Sequence, residues 1–288
     1  MSEESPPPVP RLRLGMALAN LRAEARIDGK TAAQQIGVST SQLSKIENGN
    51  ASIDLDQLRA LFKLYRVDED DRARLEDMAN ATGRAAWWDR YDDVLPEDLE
   101  TYVGLEQGAN RLDAFVGSLV HALFQTEDYA RAGITALLPE HGPASVDRMV
   151  RLRMDRQEVL SREQYPVHVI IDEMALHRWV GGPTVMRDQL THLCDVATAP
   201  NITLQIIPLK AGAHPGQEGP FTILTFTANT SREQDWSIVY IGSSAGNIYF
   251  TKPKVVLPYV DRWTRLEQVA ASPEESIKLL ETIKKEYT

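Results

Sequence analysis

The sequence has a single cysteine, Cys194, among its 288 residues. One thiol can form neither a disulfide within the chain nor a cysteine-based zinc site. No apolar run approaches the ~20 residues that a membrane-spanning helix requires. Residues 1–10 are rich in serine, glutamate and proline and have no apolar stretch, so we expect a disordered arm there rather than a signal peptide. Together these absences favour a cytoplasmic protein.

The sequence also lacks the motifs of common enzyme classes. Its histidines are scattered, and His168 and His177 do not have the HExxH spacing of a zinc site. It contains no GxSxG motif and no glycine-rich loop for phosphate. An enzyme hypothesis would depend on Asp172, Glu173 or His214, although a cap at a strand end explains the two acids more simply. We therefore predict no enzymatic activity, no metal and no cofactor.

The charge is divided unevenly along the chain. The net charge is −10, which is unusual for a DNA-binding protein. Residues 1–66, however, carry nine Lys and Arg against seven Asp and Glu, whereas the remainder carries 22 against 34. This asymmetry favours attraction of phosphate by the N-terminal part and repulsion by the rest, unless the small excess is accidental.

Residues 28–49 predict two short helices joined by a tight turn. Gly37 is expected to end the first helix, because a left-handed conformation costs glycine least. Ser39 is expected to cap the second helix. Both helices have small or apolar residues at positions that face inward: Ala32, Ala33, Ile36, Leu43 and Ile46. This pattern is typical of a helix-turn-helix, which places its second helix in the DNA major groove.

Residues 12–67 resemble the XRE-type (lambda-repressor-like) helix-turn-helix regulators. The stretch Gln42–Gly49 is close to the usual end of the family's recognition helix. Gly29 departs from the pattern, because many members have a glutamine there that contacts a phosphate. The resemblance implies an all-α DNA-binding domain, which we assign to residues 11–81. A homodimer on a two-fold operator is expected, since one such helix contacts few bases.

The candidate DNA contacts follow from a recognition helix that starts at Thr40. Thr40, Ser41 and Lys45 would point away from the buried face, and Lys45 could bind guanine O6 and N7. Gln42 could pair with adenine or reach the backbone, and Asn48 and Asn50 fit phosphate contacts. Each of these residues could instead be a solvated polar position. Glu47 is expected to be structural, because phosphate repels a carboxylate.

The rest of the chain predicts an α/β (α+β) domain over residues 99–288. A hinge is expected at 82–86, within a linker at 82–98 that contains the aromatic pair Trp87-Trp88. Helices are predicted from about 99 to 160. Strands at 167–172 and 202–208 flank a helix at 185–197, which suggests parallel strands joined by a crossover. Further strands are predicted at 221–227, 238–241 and 248–250, before two final helices.

Nearly the whole chain resembles actinobacterial regulators that join this helix-turn-helix to a long C-terminal domain of unassigned biochemical role. His121 lies in a departure from that pattern, since the family usually has Pro-Gly there. The resemblance implies a small partner protein encoded nearby, in developmental control or toxin–antitoxin-like pairs. The matching segments are Trp87-Trp88, Tyr102–Glu106, Gln125–Arg131, Arg153–Gln157, Ile171–Glu173, Val180–Gly182, Gln189-Leu190, Ile207-Pro208 and Ala211–Gly216.

The sequence thus predicts a sequence-specific transcriptional regulator whose C-terminal domain binds a small protein or a small-molecule effector. An antitoxin-like protein that mainly sequesters its partner and regulates its own operon is the alternative. The glycine-bounded loop 212–216 is a candidate binding loop, although a tight turn explains it more simply. The residues that could converge on a pocket or a partner peptide are Glu106, Gln125, Tyr129, Glu173 and His214.

Overall fold

The computed structural model describes residues 9–81, 86–227, 235–243 and 246–287. These divide into two compact units: Met1–Arg90 with Pro96–Leu105, called here the N-terminal unit, and Tyr91–Leu95 with Glu106–Thr288, the C-terminal unit. Residues 1–8 of the predicted arm and 82–85 of the predicted hinge lie outside the described residues, and Val9 and Pro10 belong to the first helix. No helix of the described residues combines the length and apolarity of a membrane crossing.

The N-terminal unit is built from helices. Its apolar core includes the fully buried Leu18, Leu58, Phe62 and Leu75. The helices are α1 (Val9–Glu24), α2 (Gly29–Gln35), α3 (Thr40–Glu47), α4 (Leu55–Tyr65), α5 (Glu69–Ala81), a 3₁₀ turn (Trp87–Tyr91) and α6 (Glu97–Gly108), which continues into the C-terminal unit. The predicted all-α fold of this region is confirmed.

The C-terminal unit contains a six-stranded mixed sheet. Its strands are β1 (Arg111–Val116), β2 (Val167–Asp172), β3 (Ile202–Ile207), β4 (Phe221–Phe226), β5 (Trp236–Ser243) and β6 (Gly246–Phe250). They lie in the order β3-β2-β1-β4-β5-β6. Strands β1, β2 and β3 are parallel, whereas β1 pairs antiparallel with β4, and β4 to β6 form an antiparallel meander. The predicted α/β class is confirmed.

Helices connect and cover these strands. They are α7 (Glu127–Leu137), α8 (Pro143–Arg156), α9 (Met174–His177), α10 (Pro183–Val196), α11 (Pro253–Val269) and α12 (Pro273–Lys284). The predicted crossover is confirmed, because α10 joins the parallel strands β2 and β3. The edge of β3 is covered by the start of α12 and the turn that precedes it. The Ile206 backbone amide donates to Ser276 Oγ (2.9 Å), and the Ile206 carbonyl accepts from the Ala271 amide (2.9 Å).

The prediction of a helical region from 99 to 160, broken near 138–143, is wrong over residues 111–116. Residues 111–116 form β1, which has strands on both sides and four consecutive buried residues. A short buried strand of this kind does not alternate between apolar and polar residues, so periodicity cannot distinguish it from a buried helical segment.

Candidate functional site

The predicted start of the recognition helix at Thr40 is confirmed. Ser39 caps α3, because its Oγ accepts a hydrogen bond from the backbone amide of Gln42 (3.0 Å). Gly37 adopts a φ of +70°, as a glycine at the end of α2 should. Leu43 and Ile46 are 2% and 3% exposed and pack into the N-terminal core. The burial of these two side chains directs the opposite face of α3 to solvent.

The exposed face of α3 contains most of the predicted base-contacting residues. Thr40, Ser41 and Lys45 are exposed, and Gln42 is half-buried. Ser44 lies on the same face and is not among the predicted contacts, although its position three residues after Ser41 indicates that face. The N-terminal unit therefore presents a helical surface of hydroxyl, amide and ammonium groups, which are the groups that contact base edges and phosphates.

The two predicted phosphate contacts, Asn48 and Asn50, follow α3 and are exposed. The Asn48 side-chain amide donates to the carbonyl oxygen of Ser44 (2.7 Å) and to Ser44 Oγ (3.2 Å). Asn48 thus helps to end the helix, whereas the Asn50 backbone amide donates to the Lys45 carbonyl (2.7 Å). Both phosphate contacts remain predictions.

Helix α1 touches the end of α3 directly at Gly15. A Cβ atom at this position would lie 2.5 Å from the carbonyl oxygen of Ile46, 2.7 Å from that of Glu47 and 2.9 Å from the amide nitrogen of Gly49. Only glycine permits this approach, because all three neighbours are backbone atoms. Arg11 adds a hydrogen bond from its Nε to the Gly49 carbonyl (2.7 Å). The position of α3 is therefore set by backbone-to-backbone packing.

A side-chain clamp also connects α1 to α3. Arg22 Nε donates to one carboxylate oxygen of Glu47 (2.6 Å), and Nη2 donates to the other (2.9 Å). These hydrogen bonds raise the pKa of Arg22 above its ordinary value. Glu47 is thus structural, as expected, and Arg22 uses its charge internally, as Arg59 does with Glu76 (2.8 Å). Less of the N-terminal positive charge is available to DNA than the sequence count suggests.

In the C-terminal unit, the predicted residue Glu106 is fully buried. Its two carboxylate oxygens accept hydrogen bonds from Nε and Nη2 of Arg156, both at 2.9 Å. The Tyr165 hydroxyl donates to the Glu106 backbone carbonyl (2.9 Å). All of these bonds lie within the protein, so the geometry gives Glu106 a structural role.

The structure does bring Gln125 and Tyr129 together, through the backbone of Val120. The Gln125 amide donates to the Val120 carbonyl (2.7 Å), and the Val120 amide donates to the Tyr129 hydroxyl (3.2 Å). Arg153 donates to the side-chain oxygen of Gln125 (2.8 Å). In the sequence, only the family resemblance singles out Arg153.

Glu173 and His214 lie near the end of β2 and share no hydrogen bond with Gln125, Tyr129 or Glu106. The imidazole of His214 bonds to Asp172 (3.0 Å) through Nε2 and accepts the Gly216 amide (3.2 Å) at Nδ1. Both ring nitrogens are thus engaged in holding the loop. The expected convergence of all five residues on one site is not seen in the hydrogen-bonding pattern.

Glu173 lines a cleft of about 730 Å³ beside the end of β3 and α12. Its carboxylate accepts the Leu209 amide (2.6 Å) and contacts His177 Nε2 (3.3 Å). The cleft also contains the exposed side chains of Leu209 and two lysines, Lys210 and Lys278. It is large enough for a small organic molecule.

Two family models match the chain. One, described as a helix-turn-helix domain, matches residues 13–75. The other, described as a domain of unknown function (DUF5753), matches residues 99–282, which is more than half of the chain. No curated protein matches this sequence. The chain therefore belongs to the DUF5753 family and carries a helix-turn-helix DNA-binding domain ahead of the family's domain.

Proposed function

We propose that this protein is a sequence-specific transcriptional regulator of the XRE type, as in the actinobacterial regulators that its sequence resembles. The observation that supports the proposal is the exposed polar face of α3, positioned by the Ser39 cap and by the contact at Gly15. A rigidly positioned helix can read base edges, since each contact must be aligned within a few tenths of an ångström. A cytoplasmic homodimer is the form expected to bind an operator.

Fluorescence anisotropy with DNA from upstream of the protein's own gene tests this proposal. A scrambled duplex of equal length is the control, and both are titrated over a salt series. Specific binding that weakens as salt rises supports the proposal, because phosphate contacts release counterions. Equal affinity for the two duplexes at every salt concentration would contradict it.

Lys45 is the residue with the clearest expected role. Lys45→Ala should weaken binding to the operator by about 1–3 kcal/mol if Lys45 contacts a base. Lys63→Ala is the matched control, because Lys63 is an exposed lysine on α4, outside the recognition helix. The assignment of Lys45 fails if both variants bind with the same affinity and the same sequence preference as the wild type.

We further propose that the C-terminal domain binds a ligand or a small partner protein and thereby alters DNA affinity. A protein partner, and with it the antitoxin-like alternative, is favoured by three large exposed apolar side chains: Trp179 (65% exposed), Leu137 (65%) and Met174 (61%). Stoichiometric copurification of a small protein from the native host, lost in Trp179→Ser, would support this alternative. If the partner copurifies equally well with the Trp179→Ser variant, Trp179 is not part of the partner-binding surface.

A further inference from the structure

The cleft that Glu173 lines beside β3 and α12, called here the edge cleft, lies at the carboxyl ends of two parallel strands. Glu173 directly follows β2, and Pro208, Leu209 and Lys210 directly follow β3. In open α/β sheets, ligands are bound in crevices beyond the carboxyl ends of the strands. The edge cleft, with a volume of about 730 Å³, is therefore both large enough and suitably placed for a ligand.

Helix α12 contributes a stripe of side chains to the edge cleft that is separate from its core face. Leu280 and Ile283 are fully buried and form the core face. The residues that line the cleft recur at the three- and four-residue spacing of a second face: Glu275, Lys278, Leu279 and Thr282. The cleft face of α12 is thus not required for packing against β3, and its side chains are available to a ligand.

The edge cleft also exposes apolar surface. Leu209 is 55% exposed and Val269 is 39% exposed, and both belong to the few large apolar side chains that the described part of the chain leaves exposed. Pro208, Ala270 and Leu279 add further apolar lining. A concave surface with exposed apolar side chains is typical of a site that binds the apolar body of a ligand.

The two carboxylates of the edge cleft are already bound by the protein. Glu173 accepts the Leu209 amide (2.6 Å) and contacts His177 Nε2 (3.3 Å). Glu275 accepts the Ser272 amide (3.2 Å) as part of the capping box of α12. Both acids therefore have a structural role at the margin of the cleft.

The two lysines of the edge cleft, Lys210 and Lys278, are not used in this way. Both side chains are exposed, and neither forms a hydrogen bond or an ion pair with any residue that the structure describes. They come from different segments, since Lys210 follows β3 and Lys278 lies on α12, yet they line the same cleft. An ammonium group has three donors and no acceptor, so the polar groups still available here favour an anion.

We propose that the edge cleft binds a small organic acid, whose apolar body contacts Leu209 and Val269 and whose anionic group is bound by Lys210 and Lys278. Charge complementarity selects an anion, because the carboxylates of the cleft are bonded within the protein and its ammonium groups are not. The proposal rests on the proposed function in that it names the class of ligand that the C-terminal domain binds. It does not depend on DNA recognition by α3 or on a protein partner at Trp179.

A fluorescence titration of the full-length protein with anilinonaphthalene sulfonate, an aromatic anion, tests the proposal. Octanoate and octan-1-ol serve as competitors, because they have the same apolar chain and only octanoate is charged. Octanoate should displace the probe at a concentration about threefold to tenfold lower than octan-1-ol, since two lysines attract its carboxylate. A cleft that is only apolar would favour the uncharged octan-1-ol instead.

Substitutions at exposed positions assign the binding to the edge cleft. Lys210→Gln and Lys278→Gln should each weaken octanoate binding about threefold and leave octan-1-ol unchanged. Leu209→Ser should weaken both competitors about fivefold, because it removes apolar contact area. Lys254→Gln and Leu257→Ser are the matched controls, since both residues are exposed on α11 and do not line the cleft. The controls should bind as the wild type does.

Three outcomes would overturn the proposal. The first is that the probe does not bind or that octanoate does not displace it. The second is that octan-1-ol competes as well as octanoate, and the third is that the cleft variants bind as tightly as the two controls. Because the titration contains no DNA, each of these outcomes leaves the proposed DNA-binding function untouched. Failure of operator binding in the anisotropy experiment would, in turn, leave the octanoate result standing.

Discussion

The two units of this protein use their polar residues in opposite ways. In the N-terminal unit, Thr40, Ser41, Ser44 and Lys45 of α3 are exposed, and the bond from the Gln42 amide to the Ser39 cap joins residues three apart. In the C-terminal unit, buried polar side chains bind partners far away in the chain: Arg156 binds Glu106 across 50 residues, and Gln189 binds Phe124 across 65. The comparison teaches that residues close in the chain specify which face a surface helix exposes. A buried polar network depends on the whole fold.

The largest expected effect tests the buried network. Arg156→Met should reduce the free energy of unfolding by about 3–5 kcal/mol, because it leaves the Glu106 carboxylate buried without its partner. Urea denaturation followed by tryptophan fluorescence measures this change. Arg151→Met, an exposed position on the same helix, should stay within about 0.5 kcal/mol of the wild type. A loss below about 1 kcal/mol for Arg156→Met would mean that the pair is not a determinant of stability.

The second prediction concerns pH and the buried side chain of His121. The pKa of His121 is lowered to about 3, so between this pH and about 6.5 the unfolded chain binds a proton that the native state does not. Stability should therefore fall as the pH falls below 6.5, by about 1.4 kcal/mol per pH unit from this group. His121→Asn should show a shallower decline between pH 6 and pH 4.5, measured by urea unfolding in chloride salts. Parallel curves for the two proteins would contradict the assignment.

The third prediction concerns the close contact between Gly15 of α1 and the end of α3. Gly15→Ala should reduce the free energy of unfolding by about 1–3 kcal/mol, because the new Cβ overlaps backbone atoms at the end of α3. It should also weaken operator binding, since the helix must shift. Gly133→Ala is a suitable control, because a Cβ there meets no atom within 4 Å and alanine favours the interior of a helix such as α7. Unchanged stability and operator affinity in Gly15→Ala would show that α3 is not positioned at this contact.

The smallest expected effect tests a local interaction, the hydrogen bond that caps the start of α3. Ser39→Ala should reduce the free energy of unfolding by about 1 kcal/mol, because it removes the hydrogen bond that caps α3. Ser39→Asp should stay within a few tenths of a kcal/mol of the wild type, because the aspartate side chain keeps an oxygen that can accept the Gln42 amide. The difference between the two variants in thermal unfolding isolates the cap bond. Equal losses would indicate that the cap bond is not what stabilises the start of α3.

The sequence predicted much of the fold but less of the C-terminal site. The helix-turn-helix could be placed to the residue, because Gly37, Ser39, Leu43 and Ile46 act within one or two turns of each other. The crossover between β2 and β3 was also predictable from two strand patterns around a helical one. Strand β1 was not, since a buried strand lacks the alternation that identifies a half-exposed one.

The candidate C-terminal residues show the same limit. Glu106, Gln125 and Tyr129 could be singled out from the sequence, but their partners could not. Arg153 illustrates the reason. Only the structure shows that its guanidinium donates to the neutral amide oxygen of Gln125, while the neighbouring Arg156 pairs with the Glu106 carboxylate. Likewise, the sequence predicts His214 as a binding residue, but in the structure both of its ring nitrogens hold its own loop.

The sequence by itself determined the helix-turn-helix, the face that α3 exposes and the division into a helical and an α/β part. These features depend on capping, helical periodicity and glycine conformations, all of which act between residues a few positions apart. Only the tertiary structure decided the strand order, the contact at Gly15 and the hydrogen bonds of Gln125 and Tyr129 to the backbone of Val120. Those features depend on contacts between residues that are far apart in the chain, and local sequence patterns do not predict such contacts.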